Sequence, residues 1–385
     1  MSNLKNITLF LALYISLVIG FLFDENLNFG SYYDWHRVYV LPITDFSQNF
    51  FDTFLNFEKY GQRHSPVYLI FISILLKLGM TLDTFRLVHL HFSIIFIFIF
   101  YHCLKLRFYS VDKLILQLLS MTIFLSPTFR SLSIWPDSRL PGLILFTLAI
   151  YFFIKFLKKD VEFKTKFAWL CSITLISSSY ISPNFSIFAF FFYFFFFREL
   201  SLKNFIHLII VSIILSLPML YYIFVLDVNF MTAGSTPGVD GSNISFSFNL
   251  SDKILIISTI FFFHLFPIIY LLTDYKKFNF FFKKKIIFVL PIYLVLTYFF
   301  NYQMNFSGGG IFFQLSNILF NNNILFLCLS FYTFFYFYYF ANLNKVNFIL
   351  LMLIIISNVQ NTIYHKYYEP FFIIIIFLLF KNLRF

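Results

Sequence analysis

Three carboxylates stand close together just after the first apolar run of the chain. Asp24 and Glu25 directly follow residues 4–23, which are almost all apolar, and Asp34 comes soon afterwards. The whole chain holds only 17 acidic residues, so such a grouping is unusual for it. Because charge at the depth of a membrane is costly, ionisable side chains there usually mark a site. A carboxylate in that position is suited to act as a general base toward a hydroxyl.

Basic and histidine side chains form three further polar clusters beside apolar runs. The clusters are Arg63-His64, Arg130 with Asp137-Ser138-Arg139, and the stretch from Tyr364 to Pro370, which contains Lys366 and Glu369. Arginine and lysine bind phosphate and stabilise it as it leaves. Combined with a carboxylate base, these groups could transfer a sugar from a lipid phosphate to a hydroxyl without a soluble nucleotide.

The elements that must position these clusters are apolar runs of membrane length. The chain is 60% hydrophobic and only 12% charged, whereas soluble domains carry about 25% charged residues. The net charge of +11 comes largely from lysines in short loops between apolar runs. That arrangement is typical of cytoplasmic loops in membrane proteins, and it gives no reason to expect nucleic-acid binding.

The runs predict an all-α polytopic membrane protein of about twelve transmembrane helices with both termini in the cytoplasm. The run at 66–80 is short and opens with Ser65-Pro66, so it is interpreted as a half-helix or interfacial helix on the outer side. The basic loops then all face the cytoplasm. The loops that face outward are 24–65, 130–138, 227–253, 301–317 and 364–369, and they bring all four polar clusters to one side of the membrane.

We expect a single integral membrane domain over residues 1–385. Its first part, 1–226, includes the outer loop 24–65 and most of the polar clusters, and residues 227–385 add the C-terminal helices. The three cysteines all lie inside apolar runs, which predicts buried thiols and neither disulfides nor a metal site.

The order of the motifs resembles that of the GT-C glycosyltransferases, a superfamily that includes protein mannosyltransferases and aminoarabinose transferases. An apolar helix is followed by Asp24-Glu25, and a loop then leads to His64-Ser65-Pro66-Val67-Tyr68 before a short apolar run. The stretch from Ser133 to Arg139 is similar to a second motif of the superfamily, and Tyr364 to Pro370 is similar to the ending of some members. Ser65 stands where many members have proline, and Trp135 where many have arginine.

The resemblance implies a GT-C-like fold and an inverting glycosyltransferase that uses a polyprenyl-phosphate sugar on the extracytoplasmic face. Asp24 or Glu25 would be the catalytic general base, and the motif does not decide between them. The remaining roles implied are donor phosphate binding by Arg63, His64, Arg139 and Lys366, and orientation of the acceptor by Asp34, Asp137 and Glu369. The catalytic module would be residues 1–226.

The partners and location follow from the same resemblance. The donor would be a polyprenyl-phosphate-linked sugar, and the acceptor a glycan, a glycolipid or a protein, with membrane lipids around both. No cofactor is expected, although Asp24, Glu25, His64 and Asp137 include metal-ligand types, so a divalent metal stays possible. The protein would be a hexosyltransferase-type enzyme of a bacterial inner membrane that serves cell-envelope polysaccharide biosynthesis.

Two other functions that involve lipid-linked sugars are considered as alternatives. A transporter or flippase of lipid-linked oligosaccharide would carry charges through the middle of its helices, whereas here the span interiors hold almost none. A polysaccharide polymerase or ligase would carry arginines in a large late loop, whereas 301–317 and 364–369 contain none.

Each cluster also has a purely structural interpretation. The carboxylates after residue 23 would then be a solvated helix end, and Arg63-His64 would reach to lipid headgroups. Asp137 with Arg139 would stabilise a helix start, and Lys366 with Glu369 would anchor the interface. Four other histidines lie beside or within apolar runs, which favours core or interface positions for them: His89, His91, His207 and His264.

Overall fold

A computed structural model describes residues 2–26, 30–61, 64–158, 161–225, 249–303, 308–358 and 362–382. This part of the chain is all-helical, without strands. Its α-helices are α1 (Ser2–Leu22), α2 (Gly30–Tyr33), α3 (Val40–Gln48), α4 (Phe50–Leu55), α5 (Pro66–Lys77), α6 (Leu82–Arg107), α7 (Lys113–Met121), α8 (Pro127–Ile134), α9 (Arg139–Lys158), α10 (Val161–Ile181), α11 (Ala189–Glu199), α12 (Leu202–Phe224), α13 (Leu250–Leu272), α14 (Tyr275–Tyr298), α15 (Ile311–Phe320), α16 (Ile324–Asn342), α17 (Lys345–Ile356) and α18 (Glu369–Leu378).

Shorter helical turns join several of them. A π-helix covers Asp34–Tyr39, and 3-10 turns cover Phe57–Tyr60, Thr122–Leu125, Pro183–Phe188 and His365–Tyr367. Helix starts carry the expected caps. The side chains of Ser65 and Ser126 accept hydrogen bonds from backbone N–H groups of α5 and α8, and proline stands at the first position of each. These residues satisfy or remove N–H groups that a helix start leaves unpaired.

Four helices in the described ranges are long and apolar enough to cross a membrane. They are α6, α9, α12 and α16, and a fifth crossing exists if α7 and α8, which meet at a bend of 71°, act as one broken span. The prediction of an all-α protein with membrane-length apolar helices is confirmed at this level, and it indicates a membrane protein.

Several apolar runs fold as shorter helices than a simple crossing requires. The helix α5 has 12 residues, against about 20 for a membrane span. The apolar stretch 318–340 is broken between α15 and α16, where Asn321 adopts a left-handed conformation with a φ of 52°. The last helix, α18, has 10 residues, all of them buried. Apolar composition is therefore found here in short helices as well as in helices long enough to cross a membrane.

The contacts within the chain divide it into two compact units, Met1–Ile244 and Ser245–Phe385. In the N-terminal unit, α9 packs along α10 and α6, and α5 packs against α3. Phenylalanine rings fill these contacts: Phe146 stacks on Phe185 with centroids 4.8 Å apart, and Phe153 meets Phe192 at 4.9 Å. These aromatic pairs add a specific geometry to the burial of apolar surface.

The C-terminal unit is arranged around α16. This helix contacts α13, α14, α15 and α17, and α18 packs against α13. Phe278 stacks on Tyr336 with centroids 4.3 Å apart, and Phe261 meets Phe372 at 5.2 Å. The contact between Phe261 and Phe372 joins α13 to α18, two helices that each carry ionisable residues facing one another.

We expect Gly142→Ala to lower the thermal stability of the protein. A Cβ at residue 142 would lie 2.9 Å from Ser182 Cβ and 3.0 Å from the Phe185 ring, and Ser178 Oγ donates to the Gly142 carbonyl at 2.9 Å. Overpacking of this kind costs about 1–3 kcal/mol. Thermal unfolding of the purified protein in detergent measures it. Ser177→Ala on α10 is the control, and equal melting temperatures for both variants would contradict the close packing.

Candidate functional site

The turn between α8 and α9 is the buried centre of the polar residues in the N-terminal unit. All residues from 131 to 140 are buried, including Asp137 at 0% and Arg139 at 8% exposure. The carboxylate Oδ1 of Asp137 accepts a hydrogen bond from the backbone N–H of Arg139 at 2.9 Å. A carboxylate at the start of a helix is favoured by the helix dipole, so Asp137 fixes where α9 begins.

The outer loop contributes a π-helix, Asp34–Tyr39, to the same place. Asp34 is 8% and Tyr39 0% exposed. A π-helical turn widens the spacing of side chains and often occurs at functional sites. In this case it lets the two ends of one short turn, Asp34 and Tyr39, reach the same histidine.

A chain of polar contacts connects the loop to the start of α9. The Tyr39 hydroxyl lies 2.9 Å from His64 Nδ1 and 3.2 Å from Ser138 Oγ. On its other side, His64 Nε2 lies 3.7 Å from Asp34 Oδ2, which is an electrostatic contact too long for a hydrogen bond. A proton on Nε2, facing the Asp34 carboxylate, would leave Nδ1 to accept from the Tyr39 hydroxyl, and Ser138 would then donate to Tyr39.

Tyr39 is a neutral phenol in these surroundings. Burial raises its pKa well above the usual range, and the carboxylates of Asp137 and Asp34 raise it further, while the Ser138 hydrogen bond and Arg139 act in the opposite direction. The hydroxyl therefore stays a hydrogen-bond donor at any physiological pH. These electrostatic couplings also mean that Asp34, Asp137 and Arg139 all lie around Tyr39. We call Asp34, Tyr39, His64 and Asp137–Arg139 the Tyr39 cluster.

Asp24 is held outside this cluster by an arginine. Its carboxylate pairs with Arg86 Nη2 at 2.6 Å, and the Asp24 side chain is 62% exposed. The Arg86 guanidinium lies 3.7 Å from the centre of the Trp135 ring and donates to the Ile134 carbonyl at 3.1 Å. Asp24 has a φ of 53°, a conformation that aspartate adopts more easily than most residues. Arg86 thus ties the end of α1 to the turn after α8.

Glu25 is held still more firmly by a second arginine. Arg130 donates from Nε to Oε1 at 2.7 Å and from Nη2 to Oε2 at 2.5 Å, a bidentate geometry that is among the stronger ion pairs. The Trp135 indole donates to the Glu25 carbonyl at 3.0 Å. Gly20 makes room for the pair, because a Cβ there would collide with Glu25 Oε2 and lie 2.9 Å from Arg130 Nη2.

The structure brings together some of the residues predicted from the sequence and separates others. Asp34, His64, Asp137 and Arg139 meet in the Tyr39 cluster, while Asp24 and Glu25 form their own ion pairs. Arg63 lies outside the described residues. Lys366 and Glu369 belong to the C-terminal unit.

Sequence reasoning missed Arg86 and Tyr39. Arg86 could have been identified from the sequence, because it is a charged residue at the edge of an apolar run, where charge usually marks a site. Tyr39 had none, since it is one of 25 tyrosines in the chain.

The C-terminal unit contains a second polar group. Glu369 Oε1 lies 3.1 Å from His264 Nδ1, and His264 Nε2 lies 2.6 Å from His365 Nδ1. Lys366 is 7% exposed. The sequence favoured a core position for His264, and the structure places it within reach of one of the predicted site residues. Among the residues that the structure describes, no three His, Cys, Asp or Glu side chains are arranged to hold a metal ion.

No protein-family model, no curated protein and no solved structure matches this chain. The contacts within the two units are therefore the basis for assigning a function.

We expect Tyr39→Phe to destabilise the N-terminal unit by about 1–3 kcal/mol, the cost of leaving buried polar partners unpaired. His64 Nδ1 and Ser138 Oγ both lose their contact with the hydroxyl. Tyr32→Phe is the matched control, because the ring contacts of residue 32 with His36 and Trp135 are kept. Thermal unfolding compares the two variants. An unchanged melting temperature in Tyr39→Phe would show that the hydroxyl does not hold the cluster together.

Proposed function

We propose that this protein is a membrane glycosyltransferase, which moves a sugar from a polyprenyl-phosphate donor to a hydroxyl acceptor with inversion. The observation that carries the proposal is the Tyr39 cluster. It gathers two carboxylates, an imidazole and a guanidinium around one buried phenol. Buried ionisable groups with several charged neighbours are concentrated at functional sites. These are also the groups that transfer from a lipid phosphate requires.

Asp34 is the carboxylate best suited to act as the general base. Asp24 and Glu25 are the bases predicted from the sequence, and arginines pair with them at 2.6 and 2.5 Å. Asp34 instead lies in the Tyr39 cluster. Its carboxylate is 3.7 Å from Nε2 of the donor-phosphate candidate His64, and the charge of the candidate Arg139 acts on the same phenol. A base must lie within hydrogen-bond reach of an acceptor at the same site. The geometry therefore favours Asp34, and Asp24 and Glu25 stay as the alternatives.

The proposed reaction can be written with these residues. Asp34 removes the proton of the acceptor hydroxyl, and the resulting oxygen bonds to the anomeric carbon of the donor sugar. The bond between that carbon and the phosphate oxygen breaks, and the polyprenyl phosphate leaves with the bonding electrons. Arg139 and His64 stabilise the negative charge that develops on the phosphate. Attack opposite to the leaving group inverts the anomeric centre.

The other roles assigned from the sequence stay predictions. Arg63 and Lys366 are donor-phosphate candidates, and Asp137 and Glu369 are acceptor-orienting candidates, although the hydrogen bond of Asp137 to the start of α9 supports a positioning role for it. The acceptor is a glycan, a glycolipid or a protein. A divalent metal stays possible in the reaction.

We also propose the topology that the basic loops predict. It has about twelve spans and a short outer helix at α5, with both termini in the cytoplasm of a bacterial inner membrane. The broken pair α7–α8 ends at the turn of the Tyr39 cluster, which this topology assigns to the extracytoplasmic side. On that side, a donor linked to a membrane lipid could reach the site from the outer leaflet, which supports a lipid phosphate rather than a nucleotide sugar.

A transfer assay tests the function and its base together. Purified protein in lipid vesicles is offered radiolabelled polyprenyl-phosphate sugars and a membrane lipid extract. We expect wild-type protein to move label into an acceptor and Asp34→Asn to reduce the rate by about 10²–10⁴-fold, the usual contribution of a general base. Asp24→Asn and Glu25→Gln should mainly lower the melting temperature, because each removes one side of an ion pair.

Asp52→Asn is the control for this assay. Asp52 belongs to the same outer loop, but its side chain is 55% exposed and pairs with Lys59 at 3.7 Å. If Asp24→Asn or Glu25→Gln loses transfer while Asp34→Asn stays active, the general base is the residue changed in the inactive variant. If no donor supports transfer and the protein moves lipid-linked oligosaccharide across vesicle membranes, the protein is a transporter and the glycosyltransferase proposal is wrong.

Arg139→Lys separates donor binding from catalysis. Lysine keeps the charge but loses the planar fork that binds phosphate through two hydrogen bonds. We expect the apparent donor KM to rise about tenfold, which corresponds to about 1.4 kcal/mol, with a smaller change in the KM for the acceptor. An unchanged donor KM in a folded Arg139→Lys variant would remove this residue from the phosphate site.

A further inference from the structure

Three ionisable side chains form a line in the C-terminal unit. Glu369, in the first turn of α18, lies 3.1 Å from His264 Nδ1 on α13, and His264 Nε2 lies 2.6 Å from His365 Nδ1. The side chains of His264 and Glu369 are only 8% and 3% exposed. We call these three residues the histidine line. It belongs to a different unit from the residues of the Tyr39 cluster.

The contacts determine where the protons of the histidine line reside when both rings are neutral. An ionised carboxylate at Glu369 would only accept hydrogen bonds, and His264 would then carry its proton on Nδ1. His264 Nε2 then has a lone pair and accepts from Nδ1–H of His365. It follows that His365 carries no proton on Nε2, and that an unprotonated lone pair ends the line.

That lone pair distinguishes His365 from a buried packing histidine. His365 Nε2 is shielded from solvent and has no hydrogen-bond partner among the described residues. His89, in the N-terminal unit, shows the contrast. Its Nδ1 contacts the Tyr68 hydroxyl at 2.6 Å and its Nε2 contacts the Leu132 carbonyl at 2.8 Å, so both ring nitrogens are engaged. A buried polar atom without a partner costs free energy unless a ligand engages it.

We propose that His365 Nε2 is a binding site for the hydroxyl of a ligand, and that the histidine line accepts the proton of that hydroxyl. The hydroxyl O–H donates to Nε2 and can transfer its proton there, which leaves the electron pair of that bond on the ligand oxygen. The Nδ1 proton of His365 then moves to Nε2 of His264. The positive charge ends on His264, beside the Glu369 carboxylate.

The electrostatics of His365 agree with this direction of transfer. Burial lowers the pKa of His365 to about 4, and the neighbouring His264 lowers it as well, while Glu369 raises it. His365 is therefore neutral near pH 7 and does not keep a proton for itself. The Glu369 carboxylate lies 3.1 Å from His264 Nδ1, so an opposite charge stands beside the ring that receives the proton.

The ligand class follows from the atoms that surround the line. An imidazole lone pair needs a donor, which excludes a phosphate or a carboxylate as the contacting group. A cationic donor such as an ammonium would have to lose its hydration at this buried atom, whereas a neutral hydroxyl donates without carrying a charge.

Acylation by diethyl pyrocarbonate tests the lone pair directly. An unprotonated ring nitrogen takes the ethoxycarbonyl group of the reagent, whose anhydride bond breaks and releases ethyl carbonate. The ring gives up its other proton, which the histidine line would take. Full-length protein in phosphatidylcholine vesicles is treated at pH 7, and the peptides are analysed by mass spectrometry. We expect modification at His365 and none at His89, with the exposed His36 as the positive control. An unmodified His365 beside a modified His36 would overturn the proposal.

Variants test whether the line acts as a unit. Glu369→Gln and His264→Gln should each slow acylation of His365 by about tenfold, equivalent to one pKa unit. His264→Gln removes the ring that accepts the Nδ1 proton, and Glu369→Gln removes the carboxylate beside that ring. Circular dichroism and the acylation rate of His36 check that each variant is folded. Unchanged acylation rates at His365 in both folded variants would show that His264 and Glu369 only pack against it. That result would contradict proton transfer along the histidine line.

Protection from acylation tests the ligand class. Hexan-1-ol should slow modification of His365, whereas hexyl methyl ether, which has similar apolar bulk and no hydroxyl, should not. Equal protection by both compounds, or by neither, would overturn the hydroxyl assignment. None of these measurements depends on sugar transfer, so failure of the glycosyltransferase proposal would leave their outcome unaffected.

Discussion

The pairing of Glu25 with Arg130 is the interaction on which the polar architecture of the N-terminal unit depends. Both side chains are mostly buried, at 19% and 13% exposure, and a buried charge without a partner is strongly destabilising. The pair therefore dictates several other features: Gly20 provides the space for it, and Trp135 donates to the Glu25 backbone. Arg86 repeats the arrangement with Asp24 and stacks on the same indole. Together the two arginines attach the end of α1 to the turn before α9.

This attachment explains why the outer loop turns inward. With its first two carboxylates engaged, the loop brings Asp34 and Tyr39 to the buried start of α9 through a π-helical turn. The fully buried Tyr39 then contacts both His64 and Ser138. Neutrality of the phenol matters here, because a third anion beside Asp34 and Asp137 would be repelled. The proposed catalytic role of Asp34 thus rests on ion pairs made elsewhere in the loop.

The C-terminal unit meets the same constraint in a different way. Its buried carboxylate Glu369 faces a histidine at 3.1 Å, where Glu25 faces an arginine. A histidine can be neutral or charged near physiological pH, whereas an arginine is always charged. An Arg–carboxylate pair is consequently a permanent attachment, and a His–His–carboxylate line can take up and pass on a proton. The two units use buried charge for support in one case and for a proposed proton transfer in the other.

The sequence by itself determined that the protein is helical and membrane-like, and where its polar clusters lie along the chain. Composition and apolar runs are local properties, and a helix needs only local hydrogen bonds once its apolar face is buried. Only the tertiary structure decided which charges meet. Arg130 and Glu25 are far apart in the chain, as are His264 and Glu369. The sequence alone would permit other pairings of these charges. The break at Asn321 and the burial of α18 were likewise decided by packing, because hydropathy does not distinguish a helix that faces lipid from one that faces protein.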